Sequence, residues 1–476
     1  MKICVVGVGY VGLVAAACFA EIGHEVSCFD NDTKKIAALN NGETIIHEQF
    51  LPELLARHRG HRLKFLYSLD EALVGSQAVF IAVGTPPTRS GEADLSYIER
   101  VAAEVARILS AHKDQHTLLV EKSTVPVCTN DWIGHIVELN GAPRSSFDVA
   151  SNPEFLREGT AVSDFLYPDR IVVGAESPRA IEVMLAIYKP LTSGAYYQEK
   201  TAIAAPAGVT IPPRLILTNP RSAELIKHAS NSFLAMKISF INAVAAMCEA
   251  VGADITQVCQ GIGADSRIGP RFLAPGIGYG GSCFPKDLLA FRAVAKQCGY
   301  DFGLLDQVSD INEKQRDRFI AKVRKALWVL KGKRLGVLGL AFKGGTDDVR
   351  DSQAIAIIKE LLREGCDIVA FDPAAMAKAR ELFKADAGSA ECIKFAENAY
   401  DAAKGAHALL ILTEWPEFAA LDLARLKSEM LHPIIIDGRN LFKPEAMAAA
   451  GFTYISFGRP DVLAAAHASS RVPIPR

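Results

Sequence analysis

The sequence contains no Cys-x-x-Cys pair and no closely spaced group of cysteines. Its ten cysteines are scattered over 476 residues, which excludes a compact disulfide framework and a structural zinc site of the usual spacing. We therefore expect reduced thiols and no metal.

Strong net charge is also lacking. The 52 basic and 54 acidic residues leave a net charge of −2, which excludes the basic footprint of a nucleic-acid-binding protein. No membrane-spanning segment is predicted, and the apolar residues 3–6 follow Met1 and Lys2 so closely that no cleaved signal peptide fits. The expected location is the cytoplasm, without nucleic acid or membrane as a partner.

The chain is longer than one hydrophobic core supports. Half of its residues are hydrophobic and 22% are charged, a composition typical of globular proteins. Length and composition together predict two or three domains.

A glycine-rich turn follows the first apolar segment. Residues 2–6 predict a short strand, and Gly-Val-Gly-Tyr-Val-Gly at 7–12 leads into a helical pattern that ends near Ile22. A second apolar segment, 25–29, ends at Asp30, where a carboxylate can bind a ribose 2′-hydroxyl and repel a 2′-phosphate. This order predicts a dinucleotide-binding unit that uses NAD rather than NADP.

Two further predicted strands, 78–83 and 117–120, end in polar loops. Gly-Thr-Pro-Pro at 84–87 follows the first strand, and Glu-Lys-Ser-Thr-Val-Pro at 121–126 follows the second. Because ligands gather at the carboxyl ends of parallel strands, we expect both loops beside the cofactor, although each could be ordinary turn chemistry.

Two acidic residues follow another predicted strand, 148–150. The next segment, 152–159, reads Asn-Pro-Glu-Phe-Leu-Arg-Glu-Gly and could turn helical, with Glu154 and Glu158 four residues apart. Such carboxylates can act as a general base or bind a ribose, whereas a solvated acidic turn is the commoner explanation.

A long helical pattern follows Pro220 and extends to Gly252. Ser222 is predicted to cap it, and so long a helix is expected to span between domains. Lys227 and Asn231 share one face, either as part of a polar surface stripe or as buried functional groups. We favour burial because the helix is apolar, and a buried lysine needs an anionic partner.

The densest glycine cluster lies at residues 276–287, which read Gly-Ile-Gly-Tyr-Gly-Gly-Ser-Cys-Phe-Pro-Lys-Asp. Glycines allow positive φ and close approach to a ligand, and Cys283 follows them at once. Lys286 and Asp287 place both charge signs near the sulfur, and a nearby ammonium favours the thiolate. A lone cysteine is usually a buried apolar residue, but this glycine density favours a presented nucleophile.

The C-terminal part repeats the first unit. A strand is predicted at 333–340, a helix at 351–363, and a strand at 366–371 that precedes Asp372 as residues 25–29 precede Asp30. The loop at 339–348 lacks the dinucleotide spacing, so a different nucleotide is expected there.

These motifs resemble those of the UDP-glucose 6-dehydrogenases, in the UDP-glucose/GDP-mannose dehydrogenase family. The resemblance covers about residues 1–457 and rests on segments 7–12, 121–126, 152–159, 224–231, 280–287 and 342–348. It implies an α/β fold with two Rossmann-like doubly wound domains, joined by a small helical domain and a long central helix that forms a dimer core. The expected segments are an NAD-binding domain at 1–218, a central helical domain at 219–325, a sugar-nucleotide domain at 326–458 and a flexible tail at 459–476.

The resemblance also implies the chemistry, which is NAD-dependent four-electron oxidation of UDP-glucose to UDP-glucuronate. A thiohemiacetal and then a thioester on Cys283 would retain the aldehyde between two hydride transfers. Hydrolysis of the thioester needs a base and an oxyanion stabiliser. The implied partners are the substrate UDP-glucose and further copies of the chain, in a homodimer or higher oligomer.

The resemblance assigns roles to individual positions. The implied catalytic residues are Cys283 as nucleophile, Lys227 as the cation for oxyanions, and Asn231, Thr124, Glu154 and Asp287. The implied NAD contacts are Gly7, Gly9, Tyr10, Val11, Gly12, Asp30, Lys35, Thr85, Thr124, Glu158, Lys286 and Arg350. The implied sugar-nucleotide contacts are Glu154, Phe155, Leu156, Arg157, Lys227, Asn231, Arg267, Phe272, Tyr279, Gly280, Phe342, Lys343 and Arg439, and Arg267 is expected to reach the partner subunit's site.

Three alternatives stay open. A GDP-mannose dehydrogenase shares the cysteine loop and the chemistry, although Gly159 stands where we associate serine with those enzymes. A two-electron hydroxyacid dehydrogenase would need no thiol, and a nucleotide-binding sensor would need neither the thiol nor the lysine. The chain departs from the family pattern in a longer loop at 195–213 and in its tail beyond Arg459.

Overall fold

The computed structural model describes residues 1–88, 91–112, 115–200, 202–385 and 393–464. The chain forms two compact units, Met1–Ser230 with Leu289–Tyr300, and Asn231–Leu288 with Asp301–Arg476. One boundary between them falls inside the long helix, so the predicted central segment 219–325 contributes to both units.

The first unit is built on an eight-stranded sheet. Its strands are β1 Lys2–Val6, β2 Glu25–Phe29, β3 Leu63–Leu66, β4 Ala78–Ile81, β5 Thr117–Glu121, β6 Phe147–Ser151, β7 Arg170–Gly174 and β8 Arg214–Thr218. They lie in the order β3-β2-β1-β4-β5-β6-β7-β8, and all neighbours run parallel except β6 and β7, which meet antiparallel. The strands predicted near residues 2–6, 25–29, 78–83, 117–120 and 148–150 are confirmed.

Helices cover both faces of this sheet. They are α1 Tyr10–Glu21, α2 Thr33–Asn40, α3 Leu51–His58, α4 Leu69–Leu73, α5 Ser96–Ala111, α6 Thr129–Leu139, α7 Ala161–Leu166 and α8 Pro178–Thr192. Along β1, Ile3 and Val5 belong to one apolar cluster and Cys4 and Val6 to another. Successive side chains of a strand point to opposite faces, so each face of the sheet has its own core.

The long helix α9 runs from Pro220 to Val251. The predicted cap Ser222 is wrong, because the Asn219 side chain caps the helix and its Oδ1 accepts from the Ser222 backbone N–H at 2.8 Å. By length and composition alone, α9 is long and apolar enough to cross a membrane. Its buried, hydrogen-bonded Glu224 and Asn231 are instead typical of a helix inside a folded protein.

The second unit carries a six-stranded parallel sheet. Its strands are β9 Arg334–Leu338, β10 Asp367–Phe371, β11 Ile393–Phe395, β12 Ala408–Ile411, β13 Ile434–Asp437 and β14 Thr453–Ile455, in the order β11-β10-β9-β12-β13-β14. The order repeats that of the first six strands of the chain, which confirms the predicted second Rossmann-like unit. After α9 the helices are α10 Ile255–Gly263, α11 Phe284–Gln297, α12 Gly303–Leu327, α13 Gln353–Arg363, α14 Met376–Lys384, α15 Ala399–Ala403, α16 Pro416–Ala419, α17 Leu423–Glu429 and α18 Pro444–Ala450.

The repeat extends to one hydrogen-bonded carboxylate. Asp30 follows β2, and its Oδ2 accepts from the backbone N–H of Val8 at 2.8 Å. Asp372 follows β10, and its Oδ2 accepts from the N–H groups of Leu340 and Ala341 at 2.7 and 3.1 Å. In each unit, therefore, an aspartate after the second strand holds the turn after the first.

The prediction of a flexible tail from Arg459 is wrong for residues 459–464. Arg459 is buried and donates to the Phe442 carbonyl and the Tyr454 hydroxyl at 3.0 and 2.7 Å. Val462 forms an antiparallel bridge with Tyr454, so the segment packs beside β14. The rest of the predicted tail, 465–476, lies outside the described residues.

Candidate functional site

The glycine-rich turn of the first unit leaves no room for side chains at two positions. A Cβ on Gly12 would lie 1.8 Å from the Gly7 carbonyl oxygen, and Gly7 itself has a φ of +98°. Gly9 stands at the N-cap of α1, so the N–H groups of the first helical turn, at Tyr10, Val11 and Gly12, point toward the start of the helix. A pyrophosphate group fits such a helix N-terminus.

The residues that edge this turn lie where the strands end. Asp30 is buried, and its second carboxylate oxygen accepts from the Asp32 N–H at 2.9 Å. Thr85 Oγ1 donates to the Thr124 carbonyl at 2.8 Å, which joins the loops after β4 and β5. Lys35 is half-buried on α2. The roles of these side chains toward NAD stay predictions.

The acidic segment 152–159 is irregular, and α7 begins only at Ala161, so the suggested helical turn is wrong. Glu154 is buried, and its Oε1 accepts from Lys227 Nζ at 2.8 Å, with each side chain only 5% exposed. Its Oε2 accepts from the Leu156 N–H at 2.5 Å. This pairing provides the anionic partner expected for a buried lysine.

Of the residues that follow Glu154 in the chain, Phe155 packs beside the ion pair, whereas the Arg157 side chain pairs with another residue. The Phe155 ring centre lies 5.5 Å from Lys227 Nζ and 3.7 Å from the guanidinium carbon of Arg170. Arg157 is more than half exposed and pairs with Asp164 at 2.5 Å. The structure thus brings Glu154, Phe155 and Lys227 together, whereas Arg157 forms its ion pair with Asp164.

A second buried lysine, Lys122, supports the acidic segment. Its Nζ donates to the backbone and side-chain oxygens of Asn152 at 3.2 and 3.0 Å. Burial lowers the pKa of Lys122 to about 8. The sequence pattern does not single out this lysine, although it lies within the motif at 121–126.

The first turns of α9 hold the loop that contains Thr124. Glu224 is buried and accepts from the N–H groups of Cys128 and Asn130 at 2.7 and 2.8 Å, at the start of α6. Burial raises the pKa of this carboxyl to about 7. One turn later, the His228 ring lies 2.7 Å from the Val125 carbonyl oxygen. This end of α9 is therefore tied to the carboxyl end of β5.

In the second unit, Cys283 precedes the first residue of α11. The Asp287 N–H donates to the Cys283 carbonyl at 2.9 Å, so the thiol stands at the N-terminus of this helix, where the helix dipole favours a thiolate. Asp287 is buried; its two carboxylate oxygens lie 2.5 Å from Asn231 Nδ2 and 3.2 Å from Lys286 Nζ. The structure thus gathers Asn231, Asp287, Lys286 and Cys283.

The glycine loop before Cys283 packs too tightly for side chains. A Cβ on Gly280 would lie 2.2 Å from the Asp351 carbonyl, and one on Gly281 would lie 2.8 Å from the Phe342 ring. The neighbouring residue Tyr279 is bonded to Asn312 of α12. Its backbone N–H donates to Asn312 Oδ1 at 2.8 Å, and its carbonyl accepts from Asn312 Nδ2 at 3.0 Å. Asn312, which the sequence pattern does not single out, therefore fixes the loop.

Arg439 connects this loop with the carboxyl ends of the strands. Its guanidinium donates to the carbonyls of Leu412, Phe342 and Gly278 at 2.9, 2.8 and 3.3 Å. Phe342 and Arg439 are therefore together, and Lys343 follows directly in the chain. Phe272 has a positive φ of 65°, and its ring lies 6.4 Å from that of Phe284.

Two predicted contact residues of the second unit have exposed side chains, although the Arg350 carbonyl accepts from the Gly281 N–H of the glycine loop at 3.1 Å. The Arg267 side chain is 86% exposed and pairs with Asp265 at 2.6 Å. Arg350 pairs with Asp348 at 2.6 Å and is 62% exposed. The roles of Arg267 and Arg350 stay predictions. The site that Arg267 is expected to reach belongs to another subunit.

The described residues, 1–88, 91–112, 115–200, 202–385 and 393–464, offer neither a metal centre nor a disulfide. Within those ranges, no group of three or more His, Cys, Asp and Glu side chains could hold a metal ion. No disulfide joins any two of the nine cysteines that the structure describes, and Cys392 lies outside the described residues.

Three family models match consecutive parts of the chain. They describe the UDP-glucose/GDP-mannose dehydrogenase family as an NAD-binding domain at residues 1–192, a central domain at 221–314 and a UDP-binding domain at 336–444. The first unit therefore contains the NAD-binding domain of the family.

Known proteins are similar over nearly the whole chain. UDP-glucose 6-dehydrogenase TuaD of Bacillus subtilis (strain 168) is 43% identical over 462 residues, which cover 97% of this chain and 94% of that protein. UDP-glucose 6-dehydrogenase of Rhizobium meliloti (strain 1021) is 44% identical over 97% of this chain and 100% of its own length. The solved structure of a UDP-glucose dehydrogenase from Pyrobaculum islandicum superposes with a TM-score of 0.82, at 36% identity over 97% of this chain and 98% of that one. The chain belongs to the UDP-glucose/GDP-mannose dehydrogenase family.

Proposed function

We propose that this protein oxidises UDP-glucose to UDP-glucuronate and uses two NAD for each sugar. The observation that carries the proposal is the thiol of Cys283 at the N-terminus of α11, with Asp287 and Asn231 hydrogen-bonded to each other in the same unit. An ordinary alcohol dehydrogenase has no use for a presented thiol. The two relatives named above, called UDP-glucose 6-dehydrogenases, support the choice of substrate.

The chain's own residues suit the steps of this reaction. NAD, held by the glycine-rich turn and Asp30, would accept a hydride in each of the two oxidations. The Cys283 thiolate adds to the carbon of the intermediate aldehyde, forms the C–S bond of a thiohemiacetal, and keeps that carbon attached to the protein. Removal of the second hydride leaves a thioester.

Water then attacks the thioester carbon, and the C–S bond breaks to release the carboxylate and the Cys283 sulfur. A carboxylate takes the proton of the attacking water, and Glu154 and Asp287 are the two buried candidates. The Lys227 ammonium is suited to stabilise the oxyanions that form at each addition. The net reaction consumes one water and two NAD per sugar.

A direct test compares sugar nucleotides as substrates. NADH formation with UDP-glucose should reach two per sugar and should greatly exceed that with GDP-mannose. One NADH per sugar would instead indicate a two-electron dehydrogenase. Preference for GDP-mannose would select the other branch of the family, and the absence of NADH with a panel of sugar nucleotides would favour a nucleotide sensor.

Cofactor choice is predicted to depend on Asp30. The carboxylate can bond the ribose hydroxyls of NAD and meets a like charge in NADP, and each hydrogen bond to a charged group contributes roughly 1.5–3 kcal/mol. The wild type should prefer NAD strongly, and Asp30→Ala should lose most of that preference in kcat/KM. Glu25→Ala, on the exposed amino end of the same strand, is the matched control. Equal use of both cofactors by the wild type would contradict this assignment.

We also propose that α9 pairs with α9 of a second copy of the chain. Phe233, Phe240 and Met247 repeat every seven residues along α9 and are 58%, 56% and 61% exposed. Burial of such a stripe against its own copy removes apolar surface from water.

The pairing predicts that Phe240→Glu will give a monomer, because two charged side chains would face each other in the apolar contact. Light scattering coupled to gel filtration measures the mass. Leu139→Glu, at an exposed apolar residue of α6 in the other unit, should leave the oligomer unchanged. A dimer that survives Phe240→Glu but dissociates in Leu139→Glu would place the contact elsewhere.

A further inference from the structure

Glu48 is a buried acidic residue with no role in the chemistry described above. It lies between α2 and α3 in the first unit and is 4% exposed. Its carboxylate oxygen Oε2 accepts two hydrogen bonds, one from the Tyr10 hydroxyl and one from the Gly159 backbone N–H at 2.8 Å. The same N–H lies 2.9 Å from the Tyr10 hydroxyl oxygen, so the three groups form one compact cluster.

The cluster joins two segments that are far apart in sequence. Tyr10 is the first residue of α1, where the backbone N–H groups are suited to hold a pyrophosphate. Gly159 ends the acidic segment and directly follows Glu158, which is implied as an NAD contact. Glu48 thus bonds both to the first residue of α1 and to the end of this segment.

Burial and charge show that the cluster is costly unless it is fully bonded. Burial raises the pKa of Glu48, whereas the hydrogen bonds from Tyr10 and Gly159 oppose that rise. Burial, together with the nearby Glu48 carboxylate, raises the pKa of the Tyr10 hydroxyl, so this hydroxyl stays protonated and donates. Removal of this carboxylate would leave the buried Tyr10 hydroxyl without the acceptor that it has here.

We propose that Glu48 is a positioning residue for NAD binding. Its carboxylate fastens the glycine-rich turn to the segment that ends at Gly159. The proposal depends on cofactor binding by the first unit and not on the identity of the sugar substrate. It separates Glu48 from Glu154, whose carboxylate is set independently by Lys227 and the Leu156 N–H. Loss of Glu48 should therefore weaken cofactor binding more than it slows the reaction of the bound complex.

The test titrates the full-length protein with NAD alone by calorimetry, and then measures KM for NAD and kcat with UDP-glucose. Glu48→Ala should weaken NAD binding about tenfold, as expected when a buried hydroxyl and N–H lose a charged acceptor. Glu48→Gln keeps an oxygen that can accept both bonds and should lose only about threefold. In both variants kcat should stay within about twofold of the wild type. Glu43→Gln, an exposed glutamate of the same segment, should behave as wild type.

A double variant separates positioning from general stabilisation. Tyr10→Phe removes the hydroxyl partner, and in the Glu48→Ala background it should weaken NAD binding by less than it does in the wild type, since the bond between Tyr10 and Glu48 is already lost. If Glu48→Ala fails to fold, Glu48→Gln and Tyr10→Phe still provide the comparison. NAD affinity equal to wild type in these variants, with only a lowered melting temperature, would overturn the proposal. Because the titration contains no sugar nucleotide, its result is independent of whether UDP-glucose is the substrate.

Discussion

Cys283→Ala is expected to lower the rate of UDP-glucuronate formation by about a thousandfold or more, because the thioester cannot form without the thiol. The first oxidation needs only a base and bound NAD, so slow and reversible formation of aldehyde should survive. Counting NADH and UDP-glucuronate against the sugar consumed, with excess NAD, distinguishes the two steps.

The control for this experiment is another cysteine. Cys298→Ala removes an exposed thiol near the end of α11 and should leave two NADH per sugar. Cys283→Ser is a less clean test, since the hydroxyl could still add to the aldehyde and stall as an ester. Full conversion by Cys283→Ala at near the wild-type rate would show that the cysteine only packs the loop.

Lys227→Ala is expected to depress kcat by about a hundredfold to a thousandfold, with a much smaller change in KM for UDP-glucose. Charge on the oxyanion develops only during the reaction, so loss of its stabilising cation affects turnover more than binding. Steady-state kinetics on the purified variant measure both constants. Unchanged turnover with weaker binding would make Lys227 a substrate anchor.

Stability must be separated from catalysis in this variant. Lys227→Ala leaves the Glu154 carboxylate buried without its cation, and breaking a buried ion pair typically costs about 3–5 kcal/mol. Adding Glu154→Gln should recover much of the melting temperature but not the turnover. Arg221→Ala, which removes an exposed cation from the same end of α9, should leave both unchanged.

Short sequence patterns are sufficient to predict those parts of the fold and site in which the functional residues directly follow a strand. The apolar runs at β1, β2 and β4, the glycines after β1 and the acid after β2 are all close in sequence, so the first unit could be predicted. The internal repeat was visible for the same reason. Burial of Lys227 followed from the apolar character of α9 itself.

Contacts between distant segments could not be read in this way. Glu48 bonds to Gly159, which lies 111 residues away in the sequence. The residues next to Glu48 in the sequence show no apolar periodicity that would indicate this contact. The residues of β8 are exposed or half-exposed along its whole length. The strand therefore lacks the alternation of apolar and polar residues that marks a half-buried strand. The packing of Arg459 and Val462 also depends on Tyr454, a tertiary contact that the composition of the tail does not encode.

The paired aspartates after β2 and β10 have a consequence for how specificity is built. Asp372 secures its turn in a unit that lacks the dinucleotide spacing, so this use of a carboxylate does not require NAD. Asp30 performs the same fastening through Val8. The discrimination between NAD and NADP that we predict for Asp30 would thus be a second role of a residue that the fold already needs. Attempts to re-engineer the enzyme toward NADP should supply a new acceptor for the Val8 N–H as well as a cation for the phosphate.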